Sequence, residues 1–421
     1  MQRRDILGGL AALGLTGCAG VGPQGGEGGG VIFVPGYNLG DARPENEPAD
    51  STRRRAQGGQ HTLITRIAPD GHVTQAAFPV VGHDIAISPN GSVGFFGQMG
   101  PLKSGAMAHH VAFDPVTLEL IGQGRSPDAG WRGGGHGVFL ADGTLITSER
   151  APLARYTGRP ADHHGRLVRR DPVTLAVQDA VSCHGIDPHE MRLSGDGRTL
   201  AVANYGSVLP RGERQLGQPR RVVAPSVTLV DPASGALVAR YDAPAGVDEL
   251  RHLAVSDQTI FAIRARLGGA GADAPWQAAL GEGPKDITAT PGETYLPSAP
   301  LLFDRADGRH RTLAADLPEG QLRHGLSVEY EPVAQEFIAS FPTSHRLVVF
   351  SAQDGSVTQT IDTRDIGLKH PCGIALLPGG RHYAVAGYWR DLHVFERGSH
   401  RHLRRIAHRP VLYGHSHMTA A

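Results

Sequence analysis

The chain has 421 residues, with 41 Lys+Arg against 41 Asp+Glu and 22 histidines. That balance supplies no global charge for nucleic acid, so a nucleic-acid partner is not expected. Glycine (57) and proline (30) are abundant and apolar residues make up 40%, which suits many short strands joined by turns and excludes a body of long helices.

The amino terminus reads as an address. Arg3 and Arg4 precede an apolar run from Ile6 to Gly17, too short to span a bilayer. Twin arginines point to Tat export. Leu15-Thr16-Gly17-Cys18 resembles a lipobox in which Cys18 becomes lipidated. Residues 1–18 are therefore expected to be a signal and lipobox, 19–30 a glycine-rich flexible tether, and 31–421 the folded body. The expected location is the periplasm, with the membrane reached through the lipid anchor. Tat export carries folded cargo, so a metal could be loaded before export.

The body repeats one phrase: a histidine, a few residues of strand, then a tight turn. It reads His83-Asp84-Ile85-Ala86-Ile87-Ser88-Pro89-Asn90-Gly91, then from His136 to Gly143, then from His189 to Gly197. Weaker copies begin at Arg251-His252 and Arg323-His324. A sixth has Cys372 in the slot, with His370 just before it, and a fragment carries His415 and His417. A spacing of roughly 45–70 residues is the period of a propeller blade with variable loops.

Each copy is followed by a second strand, a longer connection, a third strand and an Asp-Pro-type turn: Asp114-Pro115, Asp171-Pro172 and Asp231-Pro232. Proline presets φ there and aspartate bonds the backbone ahead, as in a type I turn. A fourth strand returns. Before His83 stand three strands without an inner one, and after His415 only one short strand remains. Three plus one completes a seventh blade. The fold class is thus all-β, a seven-bladed propeller closed by pairing of the C-terminal strand with the N-terminal strands.

Inner strands line the channel of a propeller. His83, His136, His189, His252, His324 and His415 or His417 can therefore converge, with Cys372 or His370 filling the last place. Imidazoles bind transition metals, and copper or iron is the expected cofactor. Asp84, Glu149 and Glu190 are placed to orient metal-bound imidazoles. Arg251 and Arg323 stand beside histidines, either clamping an anion or pairing with Glu249 and Glu329. A second reading stays open, in which the histidines merely brace the blades or line the channel. Function would then lie in long loops rich in arginine (Arg53, Arg54, Arg55, Arg155, Arg159, Arg211, Arg214, Arg220, Arg221), as a ligand-binding or protein-interaction scaffold. The Gly133-Gly134-Gly135 run reads as a close backbone approach rather than a phosphate cradle. No Gly-x-Ser-x-Gly elbow, His-Glu-x-x-His, haem-attachment motif or P-loop occurs, so no reaction is assigned.

The phrases Gly135-His136-Gly137-Val138-Phe139, Gly185-Ile186-Asp187-Pro188-His189-Glu190-Met191, Ala201-Val202-Ala203-Asn204-Tyr205-Gly206 and Leu250-Arg251-His252-Leu253 resemble an uncharacterised family, domain of unknown function 1513. The resemblance covers most of the chain after about residue 30; it is fairly specific in blades two to four and weaker in blades five and six. It implies a Tat-exported periplasmic propeller. Its implied partners are periplasmic iron-uptake proteins of the imelysin and di-haem types.

Overall fold

A computed structural model describes residues 30–38, 62–80, 82–99, 109–152, 154, 156–208, 221–246, 248–268, 294–296, 298–313, 317, 322–323, 325–387, 389–412 and 417–421. The signal, the lipobox Cys18 and most of the tether lie outside these residues. Among the described residues no helix is long and apolar enough to cross a membrane.

Seven antiparallel blades follow one another. Blade 1 is Gly82–Ile87, Gly94–Gln98, His109–Phe113 and Leu120–Arg125. Blade 2 is Arg132–Phe139, Leu145–Arg150, His164–Arg170 and Val177–Ile186, and blade 3 is Pro188–Leu193, Leu200–Asn204, Ser226–Val230 and Leu237–Asp242. Blade 4 is Asp248–Val255, Thr259–Gly268, Leu301–Asp304 and His310–Thr312, with Thr294–Leu296 added beside its second strand. Blade 5 runs from Ser327–Glu331 to Val357–Asp362, and blade 6 from Pro371–Leu376 to His402–Leu412.

Blade 7 joins the two ends of the chain. Its innermost strand, Thr419–Ala420, pairs with Ile32–Asn38, followed outward by Thr62–Ile67 and Val73–Phe78. Each innermost strand touches the next, and Thr419–Ala420 touches both blade 6 and blade 1, so the ring closes. The expected three-plus-one closure is the observed one.

Burial follows from this geometry. Blades stack face to face, so the core is a set of wedges between neighbours. Phe33, Ile64 and Phe78 of blade 7 pack with Ile85, Phe96 and Phe113 of blade 1. Phe261 and Leu302 of blade 4 pack with Phe337 and Phe350 of blade 5. Alternation along each strand feeds one residue to each wedge.

The Asp-Pro turns are one residue longer than a simple type I turn. Asp171 Oδ1 accepts from Val173 N and Thr174 N, and Leu175 N donates to Asp171 O at 2.9 Å. Leu118 (φ 61°), Leu175 (φ 58°) and Gly235 (φ 74°) close these turns in the left-handed region. A register shift follows in the adjoining strand. This is a type I turn followed by a left-handed residue and a bulge.

Candidate metal centre

In blades 1–4 the first strand begins with a defect in its ladder. In blade 1, Gly82 pairs with Gln98 and Ile85 with Phe96, so His83 and Asp84 share the space opposite Gly97. In blade 3, His189 and Glu190 lie between the Pro188–Asn204 and Met191–Val202 pairs. Blade 2 loses register between Gly133 and Gly137, around His136, and blade 4 between Leu250 and His252. A bulge leaves the extra residue outside the ladder and re-aims its side chain. His83, His136 and His189 therefore turn into the channel instead of into a wedge between blades, whereas in blade 4 the extra residue is Arg251 and the adjacent His252 keeps its pairing with Ile263.

Five imidazoles meet there: His83, His136, His189, His252 and His417, each 5% exposed or less. Ring centroids stand 4.5 Å apart for His136–His189, 4.7 Å for His136–His417 and His252–His417, and 5.0 Å for His83–His189 and His83–His417. Ligand nitrogens of His83, His136, His189 and His417 lie within 4.8 Å of one another.

Three of these rings are oriented by oxygen acceptors at Nδ1. His136 Nδ1 is 3.1 Å from Asp84 Oδ2, His252 Nδ1 is 3.2 Å from Glu190 Oε2, and His189 Nδ1 is 2.6 Å from Gly134 O. At His136 and His252 a carboxylate acceptor favours the proton on Nδ1 and leaves the Nε2 lone pair for a ligand, the usual support of a metal-bound imidazole; the His189 Nδ1 also lies 3.3 Å from Arg150 Nη2. Among the described residues, His136 Nε2 and both nitrogens of His417 are buried with no hydrogen-bond partner. Leaving such groups uncompensated costs about 1–3 kcal/mol each, and an ion would satisfy them. The donor set fits a transition metal.

Electrostatics favour the neutral form of His189, His252 and His417. Burial first, and then the charge that adjacent imidazoles would carry, pushes His189 and His417 well below the ordinary histidine range. His252 is lowered by burial, against the pull of Glu190. Burial opposes ionisation of Glu190, but Arg192 and the bond from His252 hold its carboxyl well below the usual range. Glu190 also lies within ligand distance of His252 and His417. Its oxygens are already engaged, though, by His252 Nδ1, Leu253 N at 3.0 Å and Arg192 Nε at 2.8 Å. We read it as the group that orients His252.

Other expected residues are placed differently. Glu149 does not orient a histidine. Its oxygens meet Arg170 Nη2 at 2.7 Å, Arg166 Nη2 at 2.8 Å and Ser126 Oγ at 2.8 Å. Strand alternation is the reason: Ser148 Oγ bonds His189 O at 3.0 Å, and the adjacent Glu149 faces the other way. His370 and Cys372 belong to neither ligand group. His370 packs on His345 with centroids 4.2 Å apart, its Nδ1 3.1 Å from Pro342 O, and Cys372 Sγ donates to His370 O at 3.2 Å. The bulge of blade 6 thus aims its side chains elsewhere. Arg251 pairs with Glu249 at 2.9 Å, while Glu329 pairs across the channel with Arg192 at 2.7 Å and not with Arg323. Arg323 donates to Thr343 O at 3.5 Å. His324 and His415 lie outside the described residues, as do Arg53, Arg54, Arg55, Arg155, Arg211, Arg214 and Arg220; the described Arg159 pairs with Asp162.

Several neighbours gave no sequence signal. The Tyr205 ring is edge-on to His189 at 4.9 Å, with Arg150 over its face at 4.6 Å and Arg251 at 5.4 Å. A Cβ on Gly135 (φ 99°) would come within 2.8 Å of the His83 ring, and one on Gly134 within 2.2 Å of Ser148 Oγ. The glycine run is steric, and it lets blade 2 approach the cluster.

No curated protein matches the chain in sequence. Among solved structures, Kuenenia stuttgartiensis hydrazine synthase is similar at a TM-score of 0.54 and 14% identity, over 81% of this chain and 93% of that one. At that identity the likeness shows the fold alone. A family model described as a protein of unknown function (DUF1513) matches residues 82–419, the span that holds all five clustered histidines, and the chain belongs to that family.

Proposed function

We propose that this propeller binds a transition metal in its central channel and serves metal acquisition or handling in the periplasm. The export and lipid-anchor part of the proposal rests on Arg3, Arg4 and Cys18. The metal part rests on one observation: five buried imidazoles converge, and three of them are held at Nδ1 by oxygen acceptors. The donors are imidazole nitrogens without thiolate, a set on which copper(II) ranks highest among first-row divalent ions; iron is the second candidate through the family resemblance and not through affinity. Burial of every ring suits holding an ion more than turning over a substrate. Imelysin-type and di-haem proteins of iron uptake are the proposed partners, through the family resemblance.

Elemental analysis of protein purified from the periplasm tests this directly, with electron paramagnetic resonance to report nitrogen ligation if copper is found. His136→Ala together with His189→Ala is expected to abolish binding and leave the β-sheet circular dichroism unchanged, because the wedges between blades carry stability. Wild-type protein that stays metal-free after incubation with copper(II) and iron(II) sinks the proposal. Unfolding of the double variant would make the histidines braces.

A further inference from the structure

We infer that the metal is also the clasp of the ring: its occupancy locks the closing segment His417–Ala421, and its exchange requires that segment to lift. The inference rests on the metal-centre reading above and adds a mechanical role to it. His83, His136, His189 and His252 sit on first strands, each backed by the other strands of its own blade. His417 does not. It precedes a strand that pairs with blade 7 at only Ile32↔Ala420 and Phe33↔Thr419. Reciprocal bonds of 2.8 and 2.9 Å between Val31 and Ala421 extend that pairing, and Thr419 Oγ1 bonds Ile85 O. Met418 packs with Ile32, Val34 and Leu377. His417 adds its ring to that hold, set among His83, His136 and His252.

Without an ion, that hold is poor. Both ring nitrogens of His417 are buried with no hydrogen-bond partner among the described residues, so closing the segment strips water from two polar atoms and returns no hydrogen bond from those residues. With an ion shared with His83, His136 and His189, the same closure gains a bond. It also joins blades 1–3 to a residue far away in sequence, the case in which a metal clip restricts the chain most. Because all five rings are buried, lifting the one weakly anchored ligand is the smallest motion that exposes the site.

The test compares the full chain stripped with chelator against the chain loaded with zinc(II), a redox-silent probe that accepts imidazole. Amide hydrogen exchange is read by mass spectrometry over residues 417–421 and 31–34, with 336–341 in blade 5 as reference. Zinc is expected to slow exchange about tenfold or more in the first two segments at saturating concentration, and to leave the reference unchanged. His417→Leu fills the same space with apolar atoms. It should protect 417–421 in the stripped protein and remove the response to zinc, while zinc still binds His83, His136 and His189. Should that variant not fold, His417→Gln must show the same loss of response. Stoichiometric zinc with unchanged exchange over 417–421 overturns the clasp and leaves the metal centre standing. Failure of zinc to bind overturns both.

Discussion

Asp84 follows the first repeat histidine and Glu149 lies near the end of a second strand, and of these two carboxylates only Asp84 reaches an imidazole. Glu149 is fully buried between Arg166 and Arg170. Removing one partner of a buried ion pair leaves a charge uncompensated, at about 3–5 kcal/mol. Glu149→Gln should therefore lower stability in urea by that amount and leave metal stoichiometry unchanged. A variant of normal stability with reduced metal content would return Glu149 to the metal site. Asp84→Asn should do the opposite, weakening metal binding about tenfold or more by loosening His136.

At the scale of the element, two local devices recur among the blades. The five-residue turn between third and fourth strands lets one aspartate satisfy two backbone N–H groups, and those bonds hold the carboxyls of Asp114 and Asp171 below the usual range. Asp171→Ala should cost about 1 kcal/mol, read as a shift of the urea midpoint with no change in slope. The bulge at the start of the first strand is the second device. In blades 1–3 it contains the channel histidine and in blade 4 it lies just before it, whereas blade 6 carries a comparable shift between Pro371 and Ile374 without adding a ligand to the cluster. The bulge is therefore permissive, and the side chain and its acceptor complete the ligand.

For the whole molecule, stability should depend on pH through histidines outside the metal site. Burial pushes His345 and His393 down to about 4 and His370 to about 3. These folded values lie below the ordinary value of 6.5. Between them the unfolded chain binds more protons, so stability rises with pH in that window and is lost as pH falls from about 6.5 toward 4. Urea unfolding at pH 7.5, 6.0 and 5.0 should show a declining midpoint, and His345→Gln with His370→Gln should flatten the decline. A midpoint that does not move between pH 7.5 and 5.0 would mean that these rings are not buried neutral in solution.

The sequence by itself determined the architecture. A repeated phrase, its turn signals and the missing inner strand before His83 specify seven blades and their closure, because period and strand count follow directly from local pattern. It also determined which histidines occupy equivalent places in blades 1–4. Equivalence along the chain does not say where a side chain points, and there only the tertiary structure decided. The ladder register sent His83, His136, His189 and His252 inward. Strand alternation turned Glu149 toward two arginines, and packing against His345 took His370 from the ring. The choice of His417 needed the closed ring itself, since its neighbours come from blades that only closure brings beside the last strand.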